Sequence, residues 1–219
     1  MKIEATTLRF LKDLKQNNQK EWFDANRKRY DQARENFAAF VQVLLRDIQQ
    51  ADATLEGLEV KQTLFRINRD VRFSKNKNPY KTNFACSLTA GGKKIARAGY
   101  YFHLEPGANF AGGGWYMPDG PALNAIRQEI DYNLAEFNKI LRAKSFTKWY
   151  EGLDDFTLKT KPKGYEADNP AIAHLKQKSF IASSTFSDRE VSADDFGERL
   201  ADSLKALQPL VYFLNRSTD

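Results

Sequence analysis

Cysteine is nearly missing from this chain: Cys86 is the only one in 219 residues. A lone cysteine excludes an intramolecular disulfide and a thiolate zinc cage, and inside a run of strand-forming residues it reads as a small packed side chain rather than a redox group. Histidine is almost as scarce, with only His103 and His174 present. A metal site would have to lean on Asp and Glu, whose spacing matches no ligand pattern, so no metal is expected. No apolar run approaches the roughly 18 residues needed to cross a bilayer, so no membrane partner is expected. The N-terminal stretch MKIEATTLRFLKDLK carries a charge every few residues. That leaves no room for the apolar segment of a secretory signal, and a cytoplasmic location is the expectation. Linkers rich in Pro, Gly or Ser, internal repeats and low-complexity tracts are also lacking, which favours one domain over residues 1–219.

What is present is ample apolar material: 42% hydrophobic residues, 13% aromatic, with 16 Phe and 9 Tyr. That is enough to offset the conformational entropy lost on ordering the chain. The net charge is +6, and its location is more informative than its size. Between Lys61 and Lys81 lie seven basic residues, Lys61, Arg66, Arg69, Arg72, Lys75, Lys77 and Lys81, against the single acid Asp70, so this stretch carries +6. The remainder holds 34 − 7 = 27 basic and 28 − 1 = 27 acidic residues. The chain reads as a neutral globule with one local cationic segment rather than a diffusely basic coat for nucleic acid.

Apolar periodicity predicts a first helix from Thr6 or Thr7 to about Asn17, and a longer one from about Gln19 to Gln50. Beyond Gly57 the pattern turns to short β-type runs over 63–68, 83–89, 95–104 and 109–116. Gly91-Gly92 and Pro106-Gly107 fall between successive runs, and such short connections favour antiparallel pairing. Pro121 suits the first turn of a helix reaching Leu141. Further pieces are expected at 146–150, a strand at 156–160, a helix at 170–177 and a strand at 179–186. A final helix capped by Ser192 runs to about Asn215. The fold class is α+β, a mainly antiparallel sheet packed on long helices.

The segment FRINRDVRFSKNKNPYKTN, Phe65 to Asn83, stands out. If its first residues are extended, Arg66, Asn68 and Asp70 share one face. Residues 74–79, with two Asn and a Pro and no apolar side chain, read as a loop presenting Arg72, Lys75, Lys77 and Lys81 together. Two readings compete. In one, Arg66, Arg69, Arg72, Lys75, Lys77 and Lys81 grip an anion such as a phosphate-containing small molecule or nucleic acid. In the other, the arginines pair with acids of the same fold and the lysines keep a loop soluble.

This segment, with NNQKEWFDANRKRY upstream and GYYFHLEP, FAGGGWYMP and KPKGY downstream, resembles the signature of an uncharacterised family of bacterial and fungal proteins known as a domain of unknown function, the DUF2461 type. The resemblance runs from about Leu8 to Leu214. It implies a single-domain α+β protein and offers no activity, cofactor or substrate to carry over.

In GYYFHLEP, Tyr101, His103 and Glu105 alternate with Tyr100, Phe102 and Leu104, so one strand face is polar enough to line a cleft. With Asp70, His103 and Glu105 make a candidate acid/base set for hydrolysis. The alternative is a half-buried histidine bonded on a sheet. Gly112-Gly113-Gly114 reads either as a strand irregularity or as a backbone cradle for an anion, and it matches no Walker or Rossmann spacing. Trp22, Phe23 and Tyr30 fall at helical spacing and read as core. Three roles remain open: an anion-binding module, a hydrolase-type enzyme using Asp70, His103 and Glu105, and a protein-interaction scaffold. The sequence assigns neither cofactor nor oligomeric state.

Overall fold

The computed structural model describes residues 2–219. Eleven α-helical segments among them are α1 (Ala5–Gln16), α2 (Lys20–Ala25), α3 (Arg27–Ala51), α4 (Val60–Thr63), α5 (Gly120–Tyr132), α6 (Leu134–Leu141), α7 (Lys144–Thr147), α8 (Ile172–Leu175), α9 (Asp188–Val191), α10 (Phe196–Lys205) and α11 (Gln208–Arg216). The strands are β1 (Phe84–Leu88), β2 (Gly99–Leu104), β3 (Asn109–Trp115) and β4 (Phe180–Phe186). They form one sheet in the order β1-β2-β3-β4, antiparallel throughout. This is the expected α+β class.

The layering follows from period-two alternation. Phe84, Cys86 and Leu88 of β1, with Tyr100, Phe102 and Leu104 of β2, are buried against the helical layer. Phe102 meets Phe37 and Phe40 of α3 and Phe196 of α10, with ring centroids 5.8–6.0 Å apart. Pairs at this separation add about 0.5–1.5 kcal/mol each beyond the area they bury. One cluster of buried side chains extends from Ile3 to Leu214. Below it, Asp52 is 1% exposed and accepts hydrogen bonds from Tyr100 (2.7 Å) and Tyr212 (3.1 Å), tying β2 and α11 to the end of α3.

Several boundaries differ from the sequence reading, each for a local reason. The long helix breaks at Asn26, whose side-chain amide donates to the Trp22 carbonyl and whose backbone N–H serves both Trp22 and Phe23. The helix through Leu141 breaks at Asn133, whose side-chain amide donates to the Glu129 carboxylate and whose backbone N–H donates to the Glu129 carbonyl. Asparagine at a helix end competes for backbone partners and stops propagation. The C-terminal helix is three pieces. Its first cap is Ser187, with a capping box to Glu190, rather than Ser192. The expected strand at 63–68 is not formed. A capping box between Glu59 and Gln62 closes a helical turn at 60–63, and only Leu64 and Asn68 make isolated bridges, to Cys86 and Tyr80. The expected strand at 156–160 is likewise reduced to a Thr157 to Gln177 bridge.

The basic segment is thus a loop laid along the β1 edge. Its far end is pinned by Asn18, which donates to the Tyr80 carbonyl (3.0 Å) and accepts from the Tyr80 amide (3.1 Å), while the Tyr80 ring stacks on Phe23 at 4.0 Å. Phe23 and Tyr30 are core, as expected, and Trp22 is half-buried beside Phe10. No described helix is long and apolar enough to cross a membrane.

Candidate functional site

The helices cover one face of the sheet, and the other face opens onto a groove of about 1220 Å³. The same alternation that buries Tyr100 and Phe102 points Tyr101, His103 and Glu105 into this groove. The register places three rows across the floor. Ala85, His103, Phe110 and Thr185 form one, and Ser87, Tyr101, Gly112 and Ser183 the next, while Gly99, Gly114 and Ile181 extend the third. Tyr101 and Ser183 stand two strands apart, roughly 10 Å at the usual strand spacing. Between them Gly112 raises no side chain.

The glycines are where neighbouring backbone leaves no space. A Cβ on Gly112 would meet the Ala182 carbonyl oxygen, and one on Gly114, whose φ is +119°, would meet that of Phe180. On Gly99 it would lie 2.7 Å from the Leu88 oxygen. Gly112 and Gly114 also pair on both sides within the sheet, so their amides serve the ladders and do not form an anion cradle. The floor is bare because the strands are tightly apposed. The rim supplies the apolar character. Phe65, Ile95, Tyr116 and Met117 are four of the large apolar side chains left exposed, and all line the groove. Met117 takes φ +46° with its amide held by the Ser179 hydroxyl at 2.9 Å, a conformation bulky residues adopt only when their surroundings enforce it.

Polar groups on the floor are connected. The Tyr101 hydroxyl is 3.0 Å from His103 Nδ1, and His103 Nε2 is 3.2 Å from Glu105 Oε2. Glu105 also accepts from Thr82 Oγ1 (2.7 Å) and Lys15 Nζ (3.4 Å). Burial pushes the Glu105 carboxyl up. Its bonds from Thr82 and His103 and the charge of Lys15 outweigh that, so the net displacement is downward and it stays ionised. An ionised Glu105 selects the tautomer in which Nε2–H donates to it and Nδ1 accepts the Tyr101 O–H. Burial pushes the Tyr101 phenol up to about 12, so it remains a donor at neutral pH. The imidazole lies flat on Phe110, centroids 4.8 Å apart and 18° from parallel, which fixes its plane. On the opposite side Ser183 is held by Asp154, through its hydroxyl at 2.8 Å and its amide at 3.2 Å.

Of the residues the sequence singled out, His103 and Glu105 come together. Asp70 does not join them: it accepts a bidentate bond from Arg72 (3.0 and 2.7 Å) and does not line the groove. The Arg72 guanidinium, then the Arg72 amide, hold its carboxyl below the usual range. The six loop cations do not converge on a cavity either. Arg69 donates to the Asn78 carbonyl (3.0 Å) and Ser74 Oγ (3.3 Å), and Lys77 to the Val71 carbonyl (3.1 Å). Lys81 sits over the Phe65 ring at 5.3 Å, its pKa lowered by burial and then by Arg66. Arg66, Arg72 and Lys75 are exposed. Tyr101 is the member of the chain that sequence reasoning left out, although it shares the alternation of His103 and Glu105. The only described groove-lining lysine, Lys93, has no carboxylate partner. It donates to the Gln62 carbonyl at 3.0 Å, and burial, then Lys94, lowers its pKa. His174 lies elsewhere, bonded to Asn138 at 3.0 Å. No group of three or more His, Cys, Asp or Glu side chains converges among the described residues.

An antiparallel sheet covered by helices on one face, with a groove and a hydrogen-bonded Tyr-His-Glu chain on the other, defines a single-domain α+β protein. Over residues 6–213 the chain matches the conserved hypothetical protein family DUF2461, and it belongs to that family. No curated protein and no solved structure matches it.

Proposed function

We propose that the open sheet face binds a small planar organic acid. The observation that carries this reading is the convergence, in one groove of about 1220 Å³, of a floor without side chains at Gly99, Gly112 and Gly114, aromatic walls and an ordered hydrogen-bond chain. Ligand sites typically combine apolar walls with a few placed polar groups in about 300–1,000 Å³. Gly99, Gly112 and Gly114 line the groove without side chains to narrow it, and Phe65, Tyr101, Phe110 and Tyr116 offer ring faces and edges. Lys93, lining the groove without a carboxylate to neutralise it, favours an acidic group at that end. On this reading a small anionic ligand sits in the groove rather than on the loop.

A second reading, an acid/base enzyme, rests on the Tyr101-His103-Glu105 chain. Tyr101 would take a proton from a bound substrate as its own O–H proton passes to His103 Nδ1, and Glu105 would hold the resulting imidazolium through Nε2–H. Asp70 has no part in it.

Saturation-transfer NMR against a panel of aromatic carboxylates and phosphate monoesters tests both. Binders should appear, and Thr185→Trp, an exposed floor-edge position facing Phe110, should fill the groove and remove them without unfolding the chain. Tyr101→Phe should retain binding if the chain only orients a ligand, and should abolish turnover of any compound the wild type converts. Binding indifferent to Thr185→Trp would refute the groove as the site.

A further inference from the structure

The cationic loop is not absorbed by the groove, yet it is the most unusual surface of the molecule. Phe73 is 96% exposed, the highest value among the large apolar side chains left in solvent. It is flanked in sequence by Arg72 and, two and four residues on, by Lys75 and Lys77. Of the seven cations between Lys61 and Lys81, Lys61 pairs with Glu59 and Arg72 with Asp70. The other five, Arg66, Arg69, Lys75, Lys77 and Lys81, have no carboxylate partner among the described residues. The loop is nonetheless built. Arg69 ties its amide to the Pro79 carbonyl (2.9 Å) and its guanidinium to the Asn78 carbonyl, Lys77 reaches the Val71 carbonyl, Asn76 Oδ1 accepts from the Asn78 amide (2.9 Å), and Asn18 anchors Tyr80. Arginine is spent here on backbone carbonyls, so the loop's own cations hold its tip in place and present an aromatic ring to water.

We propose that this loop docks single-stranded nucleic acid, with Phe73 stacking on an unpaired base and Arg66, Lys75 and Lys77 meeting flanking phosphates. An exposed ring on a hydrogen-bonded loop, beside unneutralised cations, is the combination that sequence-tolerant single-strand binding uses, since every base has a stacking face and every linkage a negative charge. The Arg72 guanidinium stands 5.9 Å from the Phe73 ring and is itself held by Asp70, so it backs the ring and leaves the outer face for a base. A duplex keeps its bases stacked and out of reach of such a ring. A membrane surface is the weaker match, because one phenyl ring with no apolar neighbour at the tip buries too little for insertion. This inference does not depend on the groove.

Fluorescence anisotropy with labelled oligo(dT) and oligo(U) on the full chain tests it. At low salt both should bind, and with three to five phosphates neutralised log K should fall with log salt at a slope of roughly −2 to −3.5. Phe73→Ala should weaken binding about 5- to 150-fold, matching about 1–3 kcal/mol per stacked base, while Phe73→Trp retains it. Arg66→Glu with Lys75→Glu should flatten the salt slope. Because Phe73, Arg66 and Lys75 are exposed, these variants keep the fold, which circular dichroism checks. Absence of binding at low salt overturns the proposal. Affinity unchanged in Phe73→Ala overturns it in favour of plain polyanion docking. Binding to phosphatidylserine vesicles that depends on Phe73, with none to the oligomers, overturns it in favour of a membrane.

Discussion

Replacing Gly114 by alanine should unfold the floor of the groove, and a three-member glycine series separates the causes. Gly120, at the start of α5, has an ordinary φ and no atom within 4 Å of an added Cβ. Gly120→Ala should leave stability unchanged or raise it by up to about 0.5 kcal/mol, since glycine carries the larger unfolded-state entropy. Gly107, in the β2 to β3 turn, also has open space but sits at φ +79°. Gly107→Ala should cost about 1–2 kcal/mol, the left-handed penalty alone. Gly114 combines φ +119° with a Cβ that would press on the Phe180 carbonyl oxygen and stand 3.0 Å from Ile181 Cα, both backbone atoms of the neighbouring strand.

Backbone strain of about 1–3 kcal/mol and overpacking of about 1–3 kcal/mol then add, because neither a rotamer change nor a flexible side chain can relieve the contact. A total near 4 kcal/mol is a large share of the roughly 5–15 kcal/mol available to a domain. At about 2–4 °C per kcal/mol for a chain of this size, Tm should fall by roughly 8–16 °C, against about 2–8 °C for Gly107→Ala. Urea titration and thermal melts followed by circular dichroism read all three. If Gly114→Ala melts with Gly107→Ala, the tight apposition of β3 and β4 at the floor is refuted, and with it the account of why the groove is bare.

Two further outcomes follow from buried titratable groups. Cys86 is fully buried and its thiol is pushed up to about 12 by burial. At pH 8 only about one thiol in ten thousand is then thiolate, so a thiol reagent should label the protein only in denaturant, and labelling of the native protein at a free-thiol rate would contradict the packing of β1. Glu105 is held below its ordinary value of 4.5, so its contribution is present above that pH and is lost as pH falls through the folded value. Glu105→Gln should therefore lower stability near neutrality, and the gap to wild type in denaturant titrations should close as pH falls through the folded-state value below 4.5; a gap that persists would show that the ionised carboxylate is not the stabilising form.

The alternation of GYYFHLEP and the spacing of its turns sufficed to read an antiparallel sheet with one polar face, because period two is local information. The breaks at Asn26 and Asn133 escaped the helical reading since apolar spacing continues through them, and only a side-chain bond to the preceding turn stops the helix. The same holds for 63–68, where Glu59 and Gln62 settle a helical turn before an arginine-rich segment that periodicity alone reads as extended. Asp70 is expected beside His103 only if its segment forms a neighbouring strand, which it does not. Arg72, two residues on, reaches it first, and a contact so near in sequence closes with little entropy loss.

The groove itself was illegible for a different reason. Gly99 and Gly114 are 15 positions apart and form a cross-strand pair, and Gly112 faces Tyr101 on one side and Ser183 on the other. No window along the chain contains that arrangement. It exists only once the register is set, and register is enforced from the opposite face: sliding β3 by one residue would turn buried Ala111 and Trp115 outward and bring Phe110 under the helices. The packed face thus determines which glycines meet on the open one. The hydrogen-bond chain is local, running along β2 from Tyr101 to Glu105, whereas the bare surface it overlooks is contributed across three strands. Substitutions in the helical layer that shift register should therefore remove binding without touching any groove residue, while substitutions along β2 should alter the bonding of a ligand that still enters.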